Sequence, residues 1–346
     1  MKRSDLQFSY PESLIALKPE LRSRVMWTSG AEVHEKKWEE FIEQFREGDV
    51  LVVNNTSVVP RRVRARSRDF HFDVIFVKQK SPKEWEVLLP MRKIKELQIT
   101  LAGDVGARVL RSGLPQTLLT DEELDLSYFR REGLAPLPPY ILFQRQLLEP
   151  DQDFDEKDLE WYQSIFAQDE HSGSYAAPTA SLHFKKQDLE TLKQKGVQIL
   201  PITLHVGLGT FLPITTEDLN DHPMHAESVE IPFSTWTEIQ KVKAQGGHVW
   251  GLGTTVVRSL ESQALGLLQE DHLKESFVGE TRLLIQEGFK FQVIDKLLTN
   301  FHQPESTLLA LVAAFAGLDQ VKKSYQWAVE KQFRLFSYGD LTVWER

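Results

Sequence analysis

Apolar and polar positions follow two different rhythms along this chain. In the first third the apolar runs are short, as in Phe70-His71-Phe72-Asp73-Val74-Ile75-Phe76-Val77 and Trp85-Glu86-Val87-Leu88-Leu89. Ser81-Pro82 falls between these two as a turn, and Gly103-Asp104, Ser112-Gly113 and Pro115 punctuate further short segments. This pattern predicts closely spaced β-strands. Pro136-Leu137-Pro138-Pro139-Tyr140 suits neither a helix nor a central strand and predicts an extended connector. Residues 151–160 are acidic and predict an exposed loop or a first helical turn.

From about residue 162 the rhythm alternates between helix and strand. Leu189 and Leu192 share one helical face that ends at Gly196, and Val197-Gln198-Ile199-Leu200-Pro201-Ile202-Thr203-Leu204-His205 reads as a strand. Residues 236–244 are helical in pattern and stop at Gly246-Gly247. A strand follows at 248–253, then helices at 254–268, 308–315 and 321–333. Such alternation predicts an α/β layered architecture. There is no internal repeat and no low-complexity segment.

Composition narrows the possibilities. A length of 346 residues predicts two domains, and 41 % apolar with 26 % charged residues excludes wholesale disorder. With no cysteine, disulfides, thiolate metal sites, iron–sulfur clusters and cysteine nucleophiles are excluded, and a zinc site would need His and carboxylate ligands. No metal site and no cofactor are expected. The N-terminal residues carry no apolar run of a secretory signal, and 308–316, the most apolar stretch, is far short of a membrane span. A soluble, cytoplasmic protein is the expectation. The net charge of −9 argues against nucleic-acid binding through overall charge. Charge is uneven, however: residues 61–115 hold 13 basic and 6 acidic side chains, the remainder 28 and 44. A basic, β-rich section in an acidic chain predicts a separate module with its own partner.

Several segments combine chemistry with strand or helix ends. Gly251-Leu252-Gly253-Thr254-Thr255-Val256-Val257-Arg258 ends a strand in glycines and starts a helix on threonines. Thr254 suits a cap, and the helix start offers N–H groups to an anion; a plain tight turn is the other reading. His205-Val206-Gly207-Leu208-Gly209-Thr210-Phe211 is a second Gly-rich strand end, either a ligand edge with Phe211 stacking or a bulge with a core Phe. In His222-Pro223-Met224-His225 the proline disfavours a helical ligand pair, and Glu227 would share a face with His225 in extended chain, a plausible acid/base or ribose-binding pair. Ala176-Ala177-Pro178-Thr179-Ala180-Ser181-Leu182-His183-Phe184 packs small residues before a helix, and Leu298-Thr299-Asn300-Phe301-His302-Gln303-Pro304 sets hydrogen-bonding side chains around an aromatic. Arg62, Arg64, Arg66 and Arg68 alternate, so a strand would put all four on one face at about 6.6 Å spacing, near that of successive phosphates. A charged edge strand is the alternative, and an RNA-facing strip the preferred reading.

Together these segments resemble the S-adenosylmethionine:tRNA ribosyltransferase-isomerase family of queuosine biosynthesis, over nearly the whole length. The carrying blocks are 136–141, 176–179 with Leu182-His183-Phe184, 203–211, 222–227, 253–260, and 297–302 with Pro304. The resemblance implies a monomer with a larger mixed α/β domain (1–61 and 148–346) and a smaller inserted β-barrel-like domain (62–147). It implies transfer and isomerisation of the ribosyl part of S-adenosylmethionine onto 7-aminomethyl-7-deazaguanine at the wobble position of tRNAs with GUN anticodons. The products are epoxyqueuosine-tRNA, adenine and methionine. Proton-transfer candidates are His183, His205, His225 and His302, with Glu227 as orienter or alternative base. Thr179 belongs to the substrate-binding set; Gly207, Gly209, Thr210 and Phe211 would line the adenosine. Thr254, Thr255 and Arg258 would hold the methionine carboxylate or a tRNA phosphate, Thr299 and Asn300 the deazaguanine, and Arg62, Arg64, Arg66 and Arg68 the tRNA.

The chain departs from the family pattern at four places, one of them a shortening of the inserted module around residues 68–73. Val53-Asn54-Asn55-Thr56-Ser57 stands where the family has Leu-Asn-Asp-Thr-Arg, Ser181 replaces a glycine, and Tyr175 a small residue. Ser181 is tolerable only with negative φ. A non-catalytic tRNA-binding paralogue of the same fold is the alternative these changes raise.

Overall fold

The computed structural model describes residues 1–91, 94, 96–111, 113–207 and 214–346. Strand Val50–Asn54 is buried at every position, which suits the centre of a parallel sheet. It lies between Gln198–Leu204 and Val249–Leu252, parallel to both, and Val249–Leu252 pairs in parallel with Lys296–Asn300. Beyond Gln198–Leu204 the sheet continues antiparallel through Glu227–Pro232, Ser276–Thr281 and Gln269–Asp271. At the other side Leu341–Glu345 runs antiparallel to Lys296–Asn300 and parallel to Val25–Ser29, which forms a hairpin with Glu32–Lys36. Ten strands result, and the last one in the chain separates the first hairpin from the rest.

Alternation along the central strand feeds two cores. Val50 and Val52 face a layer containing helices Phe233–Ala244, Thr254–Ala264, Thr307–Ala316 and Leu318–Glu330. Leu51 and Val53 face Trp38–Ile42 and Lys186–Gln194 on the opposite side, where Trp250 stacks on Phe45 at 3.9 Å between centroids.

A second sheet closes on itself. Arg62–Ser67, Phe70–Ser81, Glu84–Leu88, Gln116–Thr120, Gly106–Arg111 and Gln98–Leu101 follow one another antiparallel, and the last pairs back with the first. In Arg62–Ser67, Val63 and Ala65 are buried while Arg64 and Arg66 are exposed, the period-two pattern of a barrel wall. Helix Leu126–Glu132, capped by Asp125, whose side chain accepts from the Tyr128 N–H at 2.9 Å, inserts Phe129 against Phe76 and Trp85. The mixed α/β architecture with a β-barrel is the one the resemblance implies, and the barrel has six strands among the described residues.

Three local expectations are corrected. The proline-rich connector ends earlier than predicted, because helix Pro139–Leu148 starts on Pro139. A proline at the first helical position lacks only an N–H that would be unpaired anyway. The acidic segment forms helix Asp155–Trp161, in which Asp158 is buried and paired to Arg145 at 2.9 Å. Helix Thr254–Ala264 is preceded by Gly253 at φ 93°, so Thr254 is the first helical residue and not the cap.

Candidate active site

The four parallel strands deliver their C-terminal ends to one region, where ligands bind in open α/β sheets. A cavity of about 360 Å³ opens there. Val206 follows one strand, Gly253, Thr254, Thr255 and Arg258 the next, and Thr299 to Gln303 the third. Thr179 and its small neighbours Ala176, Ala177 and Ala180 form a wall, and Tyr140, Tyr162, Phe336 and Ser337 complete it. Thr179, Glu227, Thr254, Thr255, Arg258, Thr299, Asn300 and His302 are therefore brought together.

Glu227 is buried, with one carboxylate oxygen accepting from the Gly207 N–H at 2.9 Å and the other paired with Arg258 Nη1. Arg258 Nε donates to Leu283 O at 3.1 Å, and among the described residues neither Arg258 Nη2 nor Thr255 Oγ1 has a partner, although both atoms are buried. His302 Nε2 lies 2.9 Å from Thr299 Oγ1, and burial pulls its pKa down to about 3, so the ring is neutral. His183 stands behind the wall: its Nε2 is 3.0 Å from Asn300 Nδ2 and its Nδ1 2.6 Å from Ser23 Oγ. Burial, then the Arg334 charge, lowers its pKa to about 3.

The other candidates lie elsewhere. His205 precedes Val206 and points to the opposite side, where its Nδ1 meets Thr56 Oγ1 at 2.8 Å and it lines a second depression with His171, Glu230 and Lys274. Burial and then His171 lower its pKa. His225 is exposed and does not share the buried surroundings of Glu227, because the strand begins only at Glu227. Gly209, Thr210 and Phe211 lie outside the described residues. Arg62 is buried, pairing with Asp73 at 2.8 Å and Asp155 at 2.6 Å. Arg64 and Arg66 are exposed beside Asp155 and Asp104, and Arg68 follows the strand in the left-handed region at φ 51°, paired with Glu96. The four arginines are thus not one uniform strip: each already faces a carboxylate.

Sequence reasoning missed Tyr140 and Ser337, whose hydroxyls lie 2.6 Å apart in the cavity wall. Burial pushes the Tyr140 pKa up to about 12, so its hydroxyl keeps its proton. Tyr140 reads in sequence only as part of the proline-rich segment, and Ser337 lies 197 residues away.

The departures at Asn55, Ser57 and Tyr175 find hydrogen-bond partners, whereas Ser181 Oγ is buried without one among the described residues. Asn55 accepts from Thr203 Oγ1 at 2.7 Å and donates to Gln168 Oε1 at 3.2 Å, and Ser57 Oγ accepts from Gln163 Nε2 at 3.0 Å. Ser181 lies in the single turn Thr179–His183 and is not among the positive-φ residues. The Tyr175 hydroxyl accepts from Arg61 Nη1 at 2.5 Å beneath the guanidinium. Among the described residues no three His, Asp or Glu are grouped to hold a metal ion, and no helix is long and apolar enough to cross a membrane.

Comparison with known proteins identifies the family. The family model described as "Queuosine biosynthesis protein" matches residues 3–343. The S-adenosylmethionine:tRNA ribosyltransferase-isomerase of Sulfurihydrogenibium sp. (strain YO3AOP1) is 37 % identical over 98 % of each chain. Its namesake from Thermotoga maritima is 36 % identical over 98 % of each. The crystal structure of S-adenosylmethionine tRNA ribosyltransferase from Thermotoga maritima aligns over 98 % of this chain and 99 % of that one, with a TM-score of 0.54 and 28 % identity. The chain belongs to the queuosine biosynthesis protein family.

Proposed function

We infer that this protein moves the ribosyl moiety of S-adenosylmethionine onto 7-aminomethyl-7-deazaguanine at the wobble position of tRNAs with GUN anticodons, isomerising it to the epoxycyclopentane-diol of epoxyqueuosine. Adenine and methionine are released. The observation that carries this reading is the half-enclosed cavity at the strand ends, which combines a buried Glu227–Arg258 pair, a neutral imidazole and aromatic walls.

Each feature answers a requirement of the chemistry. A sulfonium acidifies the adjacent ribose C5′, so a base within reach can remove that proton. His302 is the candidate: with Nε2–H donated to Thr299 Oγ1, its Nδ1, which has no partner among the described residues, is the proton acceptor. The Tyr140 and Phe336 rings and the Glu227 carboxylate favour a cation in the cavity. Tyr140, holding its proton, is the acid nearest to hand for the departing adenine nitrogen. Arg258 Nη2 and Thr255 Oγ1, at the start of a helix, suit the methionine carboxylate. His183 acts through Asn300 and does not itself reach the cavity, while His205 and His225 take no part in the chemistry.

The test is mass spectrometry of tRNA carrying 7-aminomethyl-7-deazaguanine after incubation with the protein and S-adenosylmethionine. The expected outcome is the mass gain of the epoxycyclopentane-diol with free adenine and methionine. Bound but unaltered tRNA would overturn the enzymatic reading in favour of a binding paralogue.

A further inference from the structure

Asn300 occupies the cavity wall with its orientation fixed by its neighbours. Its Nδ2 lies 3.1 Å from the Phe336 carbonyl oxygen, which can only accept, so the amide cannot be flipped. The same Nδ2 lies 3.0 Å from His183 Nε2, which must therefore be the unprotonated ring nitrogen. The His183 proton then sits on Nδ1 and is donated to Ser23 Oγ at 2.6 Å. With both amide hydrogens used, Asn300 Oδ1 faces Thr179 Oγ1 at 2.9 Å, and that hydroxyl spends its hydrogen on Oδ1. Thr179 and Asn300, neighbours in the wall, are left with lone pairs alone to offer the cavity.

We propose that the chain Ser23–His183–Asn300–Thr179 sets the polarity of this wall, making Thr179 and Asn300 an acceptor-only subsite for a primary amino or ammonium group. His183 is a positioning residue, since it acts only through Asn300. The proposal rests on the reading given above, in which two substrates each carry such a group: the α-ammonium of S-adenosylmethionine and the aminomethyl group of the tRNA base. A carbonyl or carboxylate oxygen in the same place would meet lone pairs with lone pairs, and an alcohol could satisfy only one of the two acceptors, so the subsite favours a nitrogen with two or more hydrogens.

The experiment uses the full-length protein. Long-range ¹⁵N–¹H correlation spectra of the wild type are expected to show His183 as the Nδ1–H tautomer. An Nε2–H tautomer or an imidazolium overturns the proposal. Thr179→Val removes the lone pairs and Thr179→Ser retains them. If the amine belongs to S-adenosylmethionine, titration calorimetry with that compound alone shows roughly a 10–100-fold loss for T179V, recovered in T179S. If it belongs to the base, S-adenosylmethionine affinity is unchanged and KM for the modified tRNA rises by the same factor, again recovered in T179S. Equal behaviour of all three proteins towards both substrates overturns the proposal. Should T179V fail to fold, the tautomer decides. Absence of wild-type turnover would sink the functional reading instead, while the spectrum and the calorimetry still report on the wall.

Discussion

Glu227 and Arg258 form a buried ion pair across the cavity floor, the carboxylate coming from the sheet and the guanidinium from the helix after Gly253. Both side chains are buried. Removing one charge leaves the other stranded, which typically costs about 3–5 kcal/mol. Arg258→Met is therefore expected to lower the free energy of unfolding by that order, whereas Glu227→Gln with Arg258→Met restores most of the stability. Turnover stays lost in the double variant, because both residues line the cavity proposed to bind substrate. Separate denaturation and adenine-release assays check the two halves.

The neutral histidines give stability a pH dependence with a definite sign. His183 and His302 both have folded pKa values near 3, below the ordinary value of 6.5. Between those limits the unfolded chain binds the extra protons, so the stabilisation is complete above about pH 6.5 and is lost as pH falls towards 3. Each group contributes a slope of up to about 1.4 kcal/mol per pH unit. Urea unfolding between pH 4 and 7 should be steep in the wild type and shallower in His302→Gln.

Asn55 and Ser57, where the resemblance implies a charged pair, make neutral hydrogen bonds. Asn55→Asp alone buries a carboxylate beside Gln168 and Thr203 and is expected to destabilise by about 1–3 kcal/mol. Adding Ser57→Arg should recover part of that loss. Thermal unfolding of the single and double variants measures the coupling.

Among the basic residues of the barrel, burial separates two behaviours. Arg62→Met should destabilise the fold, since Asp73 and Asp155 lose their shared partner. Arg64 and Arg66 are exposed, and if both meet tRNA phosphates, replacing them with Gln flattens the slope of log affinity against log salt by about 1.4–1.8. An unchanged slope, measured by filter binding across salt concentrations, assigns them to their carboxylate partners alone.

Much of the site was readable in sequence because glycines, prolines and small residues mark strand ends. The segments around Gly253, Thr179 and Asn300 all reach the cavity. What sequence could not supply was side. His205 and Val206 are adjacent, yet the pleat sends Val206 to the cavity and His205 away from it. The central strand Val50–Asn54 went unread because five uniformly buried residues carry no period to recognise. Tyr140 and Ser337 meet only through the fold, and no local rule joins positions so far apart. The proline-rich connector misled for a different reason: Pro139 forbids a helix before it but is well suited to begin one.

The position of Leu341–Glu345 between Lys296–Asn300 and Val25–Ser29 has a consequence for how the protein is made. The first hairpin leaves the ribosome early, but its sheet neighbour among the described residues is Leu341–Glu345, some three hundred residues later. Until that strand emerges, Val25, Met26 and Trp27, all buried in the finished fold, have no sheet to join. At roughly 5–20 residues per second the wait lasts on the order of tens of seconds. The newborn chain thus carries an open, apolar edge until that strand emerges, and deletion of residues 341–345 would leave that edge open permanently.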